Sequence, residues 1–248
     1  YHSKLTINIF IERQIIENFN YSCVFRILSR GPATDVSHTE PAHISDSNED
    51  KQMDSIKAIL MIVTSFSEIA PGEPTGLWLE EFAVPYMEFR SQGYSVTVAS
   101  TKGGRVPVDP RSLPGEAQKE VWAEAIAALE DSIAVASVDV SQYDAVFVPG
   151  GHGTMYDLPD NPQIARLLSR AAADDKVIAA MCHGPSILVG VTGADGEPLV
   201  AGKRLTSFTN EEEEAAGYAQ KMPFLLESRL RELGADFVRR PNWTDHVE

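Results

Sequence analysis

The chain has 248 residues and a formal net charge of −15, from 21 lysines and arginines against 36 aspartates and glutamates. This charge makes nucleic acid and anionic membrane surfaces poor partners, because it repels phosphates and no basic cluster offsets it. No apolar run reaches the roughly 18 residues that predict a membrane span. The two cysteines, Cys23 and Cys182, are too few for a disulfide scaffold or a cysteine-built zinc site and favour a cytoplasmic setting.

The chain divides near residue 52. Residues 31–55 are polar, hold two prolines and carry almost no large apolar side chain, which is typical of a linker or a disordered stretch. Met53 stands just before the first strongly apolar run. We therefore expect a flexible extension of unassigned role over residues 1–52 and one compact domain over residues 53–248.

Downstream of Ser55, apolar runs alternate with helical spacing of apolar residues. In chain order the pattern predicts a strand at Ile56–Thr64, a helix at Gly76–Gln92, a strand at Tyr94–Ala99, a helix at Lys119–Leu129, a strand at Ala145–Val148, a helix at Asn161–Ala173, a strand at Val177–Met181, a helix over Gly184–Val189, a short strand at Arg204–Phe208 and a helix at Met222–Leu233. Pro85 predicts a kink in the first helix or a late start of it.

This alternation indicates an α/β fold, with a mainly parallel sheet and helices on both of its faces. In such sheets the functional site lies at the carboxyl ends of the strands. That rule selects the loop after Thr64, the glycine-rich turn after Val148 and the turn at Cys182.

Cys182 directly follows a buried strand and precedes His183, Gly184 and Pro185. A nucleophile at such a junction sits on a tight turn with its side chain presented to substrate, as in the nucleophile elbow of serine hydrolases. The N-terminus of a following helix is expected to lower the pKa of the thiol. The alternative is a buried and inert cysteine.

His183 lies next to Cys182, and on a sharp turn its ring can sit beside the sulfur and be oriented by a carboxylate. The run Glu211–Glu214 supplies four carboxylates. These glutamates also suit the first turn of a solvated helix, for which Asn210 is a good N-cap. Spacing alone does not choose which glutamate points inward.

The turn Gly150–Gly153 follows the strand that ends at Val148. Glycines there let backbone N–H groups approach a substrate oxygen, as in an oxyanion hole, although a plain tight turn has the same composition. His152 has no second ligand set nearby in the sequence, so we expect no metal site.

Glu80 and Glu81 interrupt an otherwise apolar helical pattern. One of them is expected to face inward or to lie at a boundary, and a buried carboxyl there has a raised pKa and can act as a proton shuttle near neutral pH. Periodicity alone favours the alternative, which is a pair of surface glutamates.

Five segments carry a resemblance to a known family. They are TGLWLEEFAVPYMEF (75–89), FVPGGHGTMYDLPDNP (147–162), AAMCHGPSIL (179–188), GEPLVAGKRLTSFTNEEEEAAG (196–217) and PFLLESRLRELGA (223–235). Together they resemble the ThiJ/PfpI superfamily, a branch of the class I glutamine-amidotransferase-like fold. The most similar branch is the glyoxalase III group, also called D-lactate dehydratases and associated with chaperone-type heat-shock proteins. The resemblance implies a three-layer sandwich with a flavodoxin-like sheet and a nucleophile elbow.

The resemblance also implies site roles. Cys182 matches the nucleophile, His183 its partner and Glu213 the acidic third member. Glu81 matches the glutamate that hydrogen-bonds the thiol, and the backbone N–H groups of Gly151 and His183 match the oxyanion hole. The acidic run leaves Glu211, Glu212 and Glu214 open as alternatives for the third member.

The implied activity is that of a glutathione-independent glyoxalase, which converts methylglyoxal or a related 2-oxoaldehyde to D-lactate or the matching 2-hydroxy acid without a cofactor. The alternatives are a stress-response holdase or redox sensor, or a cysteine-dependent amidase, peptidase or deglycase.

Members of the family are usually homodimers. Family members continue beyond the segment around Trp243 into a last strand and helix, and we expect those elements to be missing from this chain.

Overall fold

The computed structural model describes residues 24–27, 58–244 and 246–248, with the backbone alone for residues 24–27. Most of the expected extension, the boundary at Met53 and Cys23 therefore lie outside the described residues. The division at residue 52 stays a prediction.

Strands and helices alternate through most of the described chain. The strands are β1 (Val24–Ile27), β2 (Ala58–Val63), β3 (Glu68–Ala70), β4 (Glu73–Pro74), β5 (Ser95–Ser100), β6 (Ile133–Ala134), β7 (Ala145–Val148), β8 (Val177–Met181), β9 (Arg204–Leu205) and β10 (Asp236–Phe237). The helices are α1 (Leu79–Ser91), α2 (Glu116–Val121), α3 (Ala123–Ala128), α4 (Thr154–Asp157), α5 (Pro162–Ala173), α6 (Asn210–Ala216) and α7 (Leu226–Glu232). Short 3-10 helices lie at Pro110–Ser112, Val135–Ser137, Val140–Gln142 and Gly184–Leu188.

The central sheet has the strand order β1-β8-β7-β2-β5-β6. Its strands pair in parallel from β8 to β6, and β1 adds to the edge antiparallel to β8. The chain order reverses direction between β2 and β7, so the carboxyl ends of β2, β7 and β8 open onto one crevice. The predicted mainly parallel sheet is confirmed.

Side chains of β2 alternate between two apolar cores, one on each face of the sheet. Leu60 and Ile62 pack into the core that α5 covers. Ile59, Met61 and Val63 pack into the core that α1 and α3 cover. This arrangement confirms the three-layer sandwich. In the described part of the chain, no helix is long and apolar enough to cross a membrane.

Two helix predictions are wrong at their boundaries. The first helix begins at Leu79 instead of Gly76, since Leu77 forms a parallel bridge with Val108 and Trp78 donates its N–H to the Gly150 carbonyl at 3.1 Å. Pro85 lies inside this helix, so the helix does not begin at the proline, and the kink stays a prediction. The second is interrupted at Trp122, which ends α2 and precedes α3.

Near the C-terminal side the regular elements are shorter than predicted. Strand β9 ends at Leu205, and Phe208 instead donates its N–H to the Cys182 carbonyl at 2.9 Å. The last helix begins at Leu226, because the chain before it turns through Tyr218–Met222. The first of these departures keeps Phe208 close to the cysteine.

Candidate active site

Cys182 occupies a strained turn at the end of β8. Its φ is +53°, in the left-handed region that costs a non-glycine residue about 1–2 kcal/mol. Two residues later, a Cβ on Gly184 would stand 2.3 Å from the Val148 carbonyl oxygen, so this position demands glycine. The predicted elbow is present, although a five-residue 3-10 helix follows it where an α-helix was expected.

The side chains of Cys182, His183 and Glu213 form a connected row. The Cys182 sulfur lies 3.3 Å from Nδ1 of His183, and Nε2 of the same ring lies 2.6 Å from Oε2 of Glu213. His183 and Glu213 are almost fully buried, whereas Cys182 is half-buried. Since the Glu213 carboxylate accepts the Nε2–H of His183, the lone pair of the neutral ring lies on Nδ1 and faces the sulfur.

The structure distinguishes the members of the acidic run. Only Glu213 among them reaches His183, because Glu212 closes a capping box with Thr209 at the start of α6. Glu214 is exposed, and Glu211 pairs with Arg239. The expected N-cap at Asn210 is wrong by one position, since the Thr209 hydroxyl accepts the Glu212 N–H.

Helix α1 presents Glu81, and not Glu80, to the site. Glu81 is buried, and its Oε2 accepts the Gly150 N–H at 2.8 Å. Burial raises the pKa of Glu81 to about 7, although hydrogen bonds from Cys182 and Gly150 act to lower it. The carboxyl therefore exchanges a proton near neutral pH, directly beside the sulfur.

The pKa of the Cys182 thiol is raised well above its usual value. Burial is the main cause and the charge of Glu81 adds to it, while the backbone N–H groups of Gly151 and His183 act in the opposite direction. The expected lowering by a helix N-terminus is therefore wrong for the resting thiol, because desolvation outweighs the backbone dipoles. That these two N–H groups line an oxyanion hole stays a prediction.

Three residues for which the sequence predicted no role in the site complete the cluster. Nε2 of His152 lies 2.9 Å from Oε1 of Glu213, so that this carboxylate serves two imidazoles. Nη2 of Arg111 lies 3.0 Å from Nδ1 of His152 and 2.6 Å from Oδ2 of Asp109. Arg111 and Asp109 lie in a proline-rich stretch without periodicity, and they reach the site because their segment is bridged to Leu77.

His152, His183 and Glu213 also bring three candidate metal-ligand atoms within 4.8 Å of one another. A metal would need the lone pair of each Nε2 atom. Both Nε2 atoms instead lie at hydrogen-bond distance from Glu213, and Arg111, which can only donate, requires the lone pair of His152 on Nδ1. The donor pattern fits protons better than a cation, and the expectation of no metal stays a prediction.

Comparison with known proteins places this geometry in a family. Residues 75–222 match the model of the DJ-1/PfpI family. Glyoxalase 3 of Candida albicans is 31% identical over 175 residues, 66% of this chain and 74% of that protein. Glutathione-independent glyoxalase hsp3101 of Schizosaccharomyces pombe is 30% identical over 201 residues, 75% of this chain and 82% of that protein. The crystal structure of glyoxalase III from Candida albicans has a TM-score of 0.69 at 26% identity, covering 77% of this chain and 91% of that one.

Proposed function

Because the chain belongs to the DJ-1/PfpI family, we propose that it is a glutathione-independent glyoxalase acting on methylglyoxal or a related 2-oxoaldehyde. The observation that carries the proposal is the pairing of Cys182 with two groups able to move protons, His183 at 3.3 Å and the Glu81 carboxyl. Relatives of about 30% identity that bear the glyoxalase name support it.

In the first step the Cys182 sulfur adds to the aldehyde carbon. A carbon–sulfur bond forms, the carbonyl electron pair moves to oxygen, and the thiol proton passes to that oxygen through Nδ1 of His183. The N–H groups of Gly151 and His183 stabilise the developing oxyanion. Glu213 holds the His183 ring with its lone pair toward the sulfur, so the transfer needs no ring rotation.

The hemithioacetal then rearranges by proton transfer. A base removes the C1 proton, the neighbouring ketone oxygen takes a proton, and an enediol forms. Return of a proton to C2 and loss of the C1 hydroxyl proton give a thioester of the 2-hydroxy acid. Glu81 is the base in this proposal, since a pKa of about 7 matches a group that takes and returns a proton near neutral pH.

Water finally cleaves the thioester and regenerates the thiol. The sum is methylglyoxal plus water giving lactate, so neither a cofactor nor an external oxidant or reductant enters the balance. Proton return to one face of the enediol would set the D configuration. We further propose a cytoplasmic enzyme whose substrate is the small 2-oxoaldehyde, with a homodimer as the working assembly.

The test measures D-lactate formed from methylglyoxal, without glutathione, by the 248-residue chain. We expect turnover that Cys182→Ala abolishes and that Cys23→Ala, at the other cysteine, leaves unchanged. Full turnover by the Cys182→Ala protein would contradict the proposal.

Two results would redirect the assignment. Cysteine-dependent hydrolysis of peptide, glutamine or glycated substrates, without lactate formation, would favour the amidase, peptidase or deglycase alternative. Suppression of client aggregation that survives Cys182→Ala, in a folded chain without turnover, would favour the holdase.

A further inference from the structure

The guanidinium of Arg111 is held in one orientation beside the site. Nε and Nη2 of Arg111 donate to the two carboxylate oxygens of Asp109 at 2.9 and 2.6 Å. The Asp109 side chain is fully buried and also accepts the Thr75 hydroxyl at 3.0 Å. The guanidinium carbon lies 4.3 Å from the centre of the Tyr218 ring. The Arg111 guanidinium is therefore a hydrogen-bond donor of fixed orientation beside His152.

This contact determines which nitrogen of His152 carries a proton. Arginine offers donors only, so Nδ1 of His152, at 3.0 Å from Nη2, must accept. The single proton of the neutral ring then sits on Nε2, where it points at Oε1 of Glu213 at 2.9 Å. We propose that Arg111, held by Asp109, is a positioning residue that keeps His152 a neutral donor to one oxygen of Glu213 and thereby reserves the other oxygen for His183.

A doubly protonated His152 would undo this arrangement. Its Nδ1–H would face a guanidinium N–H at 3.0 Å, so two donors would oppose each other. Its charge would also compete for Glu213, which would then stabilise the cationic form of His183 less well. A less basic His183 is a poorer acceptor for the Cys182 proton, which links a residue that touches no substrate to the proposed reaction.

The charged and titratable groups around His152 are consistent with a neutral ring. Glu213 and His183 face it from α6 and the elbow, Tyr218 stacks on it with centroids 4.5 Å apart, and Arg111 and Asp109 lie on its other side. The pKa of His152 is lowered to about 4, mainly by burial and also by the charges of His183 and Arg111, against the opposing effect of Glu213.

Nitrogen-15 NMR of histidine-labelled protein tests the proposal without any activity measurement. The His152 signal is assigned by its loss in His152→Gln. In the wild type we expect a neutral ring with its proton on Nε2 from pH 8 to pH 5. In Arg111→Met we expect the protonation midpoint of His152 to rise by about one pH unit or more. Arg111→Lys, which keeps a cationic donor, is expected to restore the low midpoint.

The kinetic readout rests on the proposed glyoxalase function. The ratio of kcat/KM of Arg111→Met to that of the wild type should fall at least about twofold between pH 8 and pH 5, whereas a merely structural role predicts a constant ratio. Arg170→Met removes an exposed arginine–aspartate pair on α5 and is the matched control.

The two proposals fail in different ways. An Nδ1–H tautomer in the wild type, or an unchanged His152 midpoint in folded Arg111→Met, overturns the role of Arg111. Absence of lactate formation by the wild type overturns the glyoxalase, while the NMR titration still decides on Arg111. If Arg111→Met does not fold, the wild-type tautomer decides instead.

Discussion

The Cys182 thiol hydrogen-bonds the Glu81 carboxyl in a site largely closed to water, which lowers the pKa of Glu81 and raises the pKa of Cys182. The pair titrates as a unit, in which the first negative charge, appearing near pH 7, resides on Glu81. The resting cysteine is therefore a thiol, and in the proposed reaction its deprotonation accompanies attack on the substrate. Because the thiolate and not the thiol is the nucleophile, the resting sulfur reacts slowly with other electrophiles.

Glu81→Gln is expected to stabilise the protein at neutral and alkaline pH. Between pH 4.5 and about 7 the unfolded chain has released the Glu81 proton while the folded chain still holds it, so stability falls as pH rises through this window. A rise in pKa from 4.5 to about 7 corresponds to about 3 kcal/mol at pH 8. Urea unfolding at pH 4.5 and pH 8 measures the difference, and an equal effect at both pH values would contradict it.

The same substitution should make Cys182 easier to ionise. Removing the charge of Glu81 removes one of the causes that raise the pKa of the thiol, while the N–H groups of Gly151 and His183 remain. We expect the midpoint of the alkylation rate with iodoacetamide to move down by about one pH unit. Intact-mass kinetics in a Cys23→Ala background isolate Cys182. A midpoint that stays or moves up would show that Glu81 does not hold the thiol protonated.

The three glutamates Glu212, Glu213 and Glu214 should separate activity from stability. Glu213→Gln is expected to lower kcat about 10²–10⁴-fold, since an amide cannot hold both imidazole N–H groups. Glu212→Ala should instead weaken the capping box of α6 by about 1 kcal/mol with turnover kept. Glu214→Gln, at an exposed position, is the neutral control. Equal kinetic losses at Glu212 and Glu213 would refute the assignment.

Acid unfolding provides a second measure of Glu213. Although burial acts to raise it, hydrogen bonds from His152 and His183 lower the pKa of Glu213 to about 2. The stability that this group contributes is present above pH 4.5 and is lost as pH falls toward 2. Glu213→Gln should therefore lose less stability than the wild type between pH 4.5 and pH 2, as thermal melts would show.

Gly150→Ala should impair the site directly. An added Cβ would stand 2.7 Å from Oε2 of Glu81, 2.7 Å from the backbone nitrogen of His183 and 2.8 Å from Cβ of Cys182. We expect a loss of about 1–3 kcal/mol in stability and a fall in kcat, because these groups must move apart. Gly115→Ala has open space and an ordinary φ of −66°, so it serves as the control. Wild-type kinetics in Gly150→Ala would show that the spacing is not needed.

Regular elements with strong local patterns were predictable. Strands β7 and β8 match their predicted bounds because continuous apolar runs signal strands buried on both faces. Predictions failed where backbone groups bind partners distant in sequence. The Trp78 N–H, for example, donates to the Gly150 carbonyl, and α1 begins only after it. Local periodicity carries no information about such pairings.

By itself the sequence determined the fold class, the elbow at Cys182 and its neighbour His183, since apolar runs and turn chemistry are local properties. The choice of Glu213 from four adjacent glutamates was decided only by the tertiary structure, because the orientation of the capped helix α6 places one carboxylate against His183. Arg111 likewise enters the site through a bridge between distant segments. Burial decided the ionisation of the site, because desolvation depends on what the whole fold packs around a group.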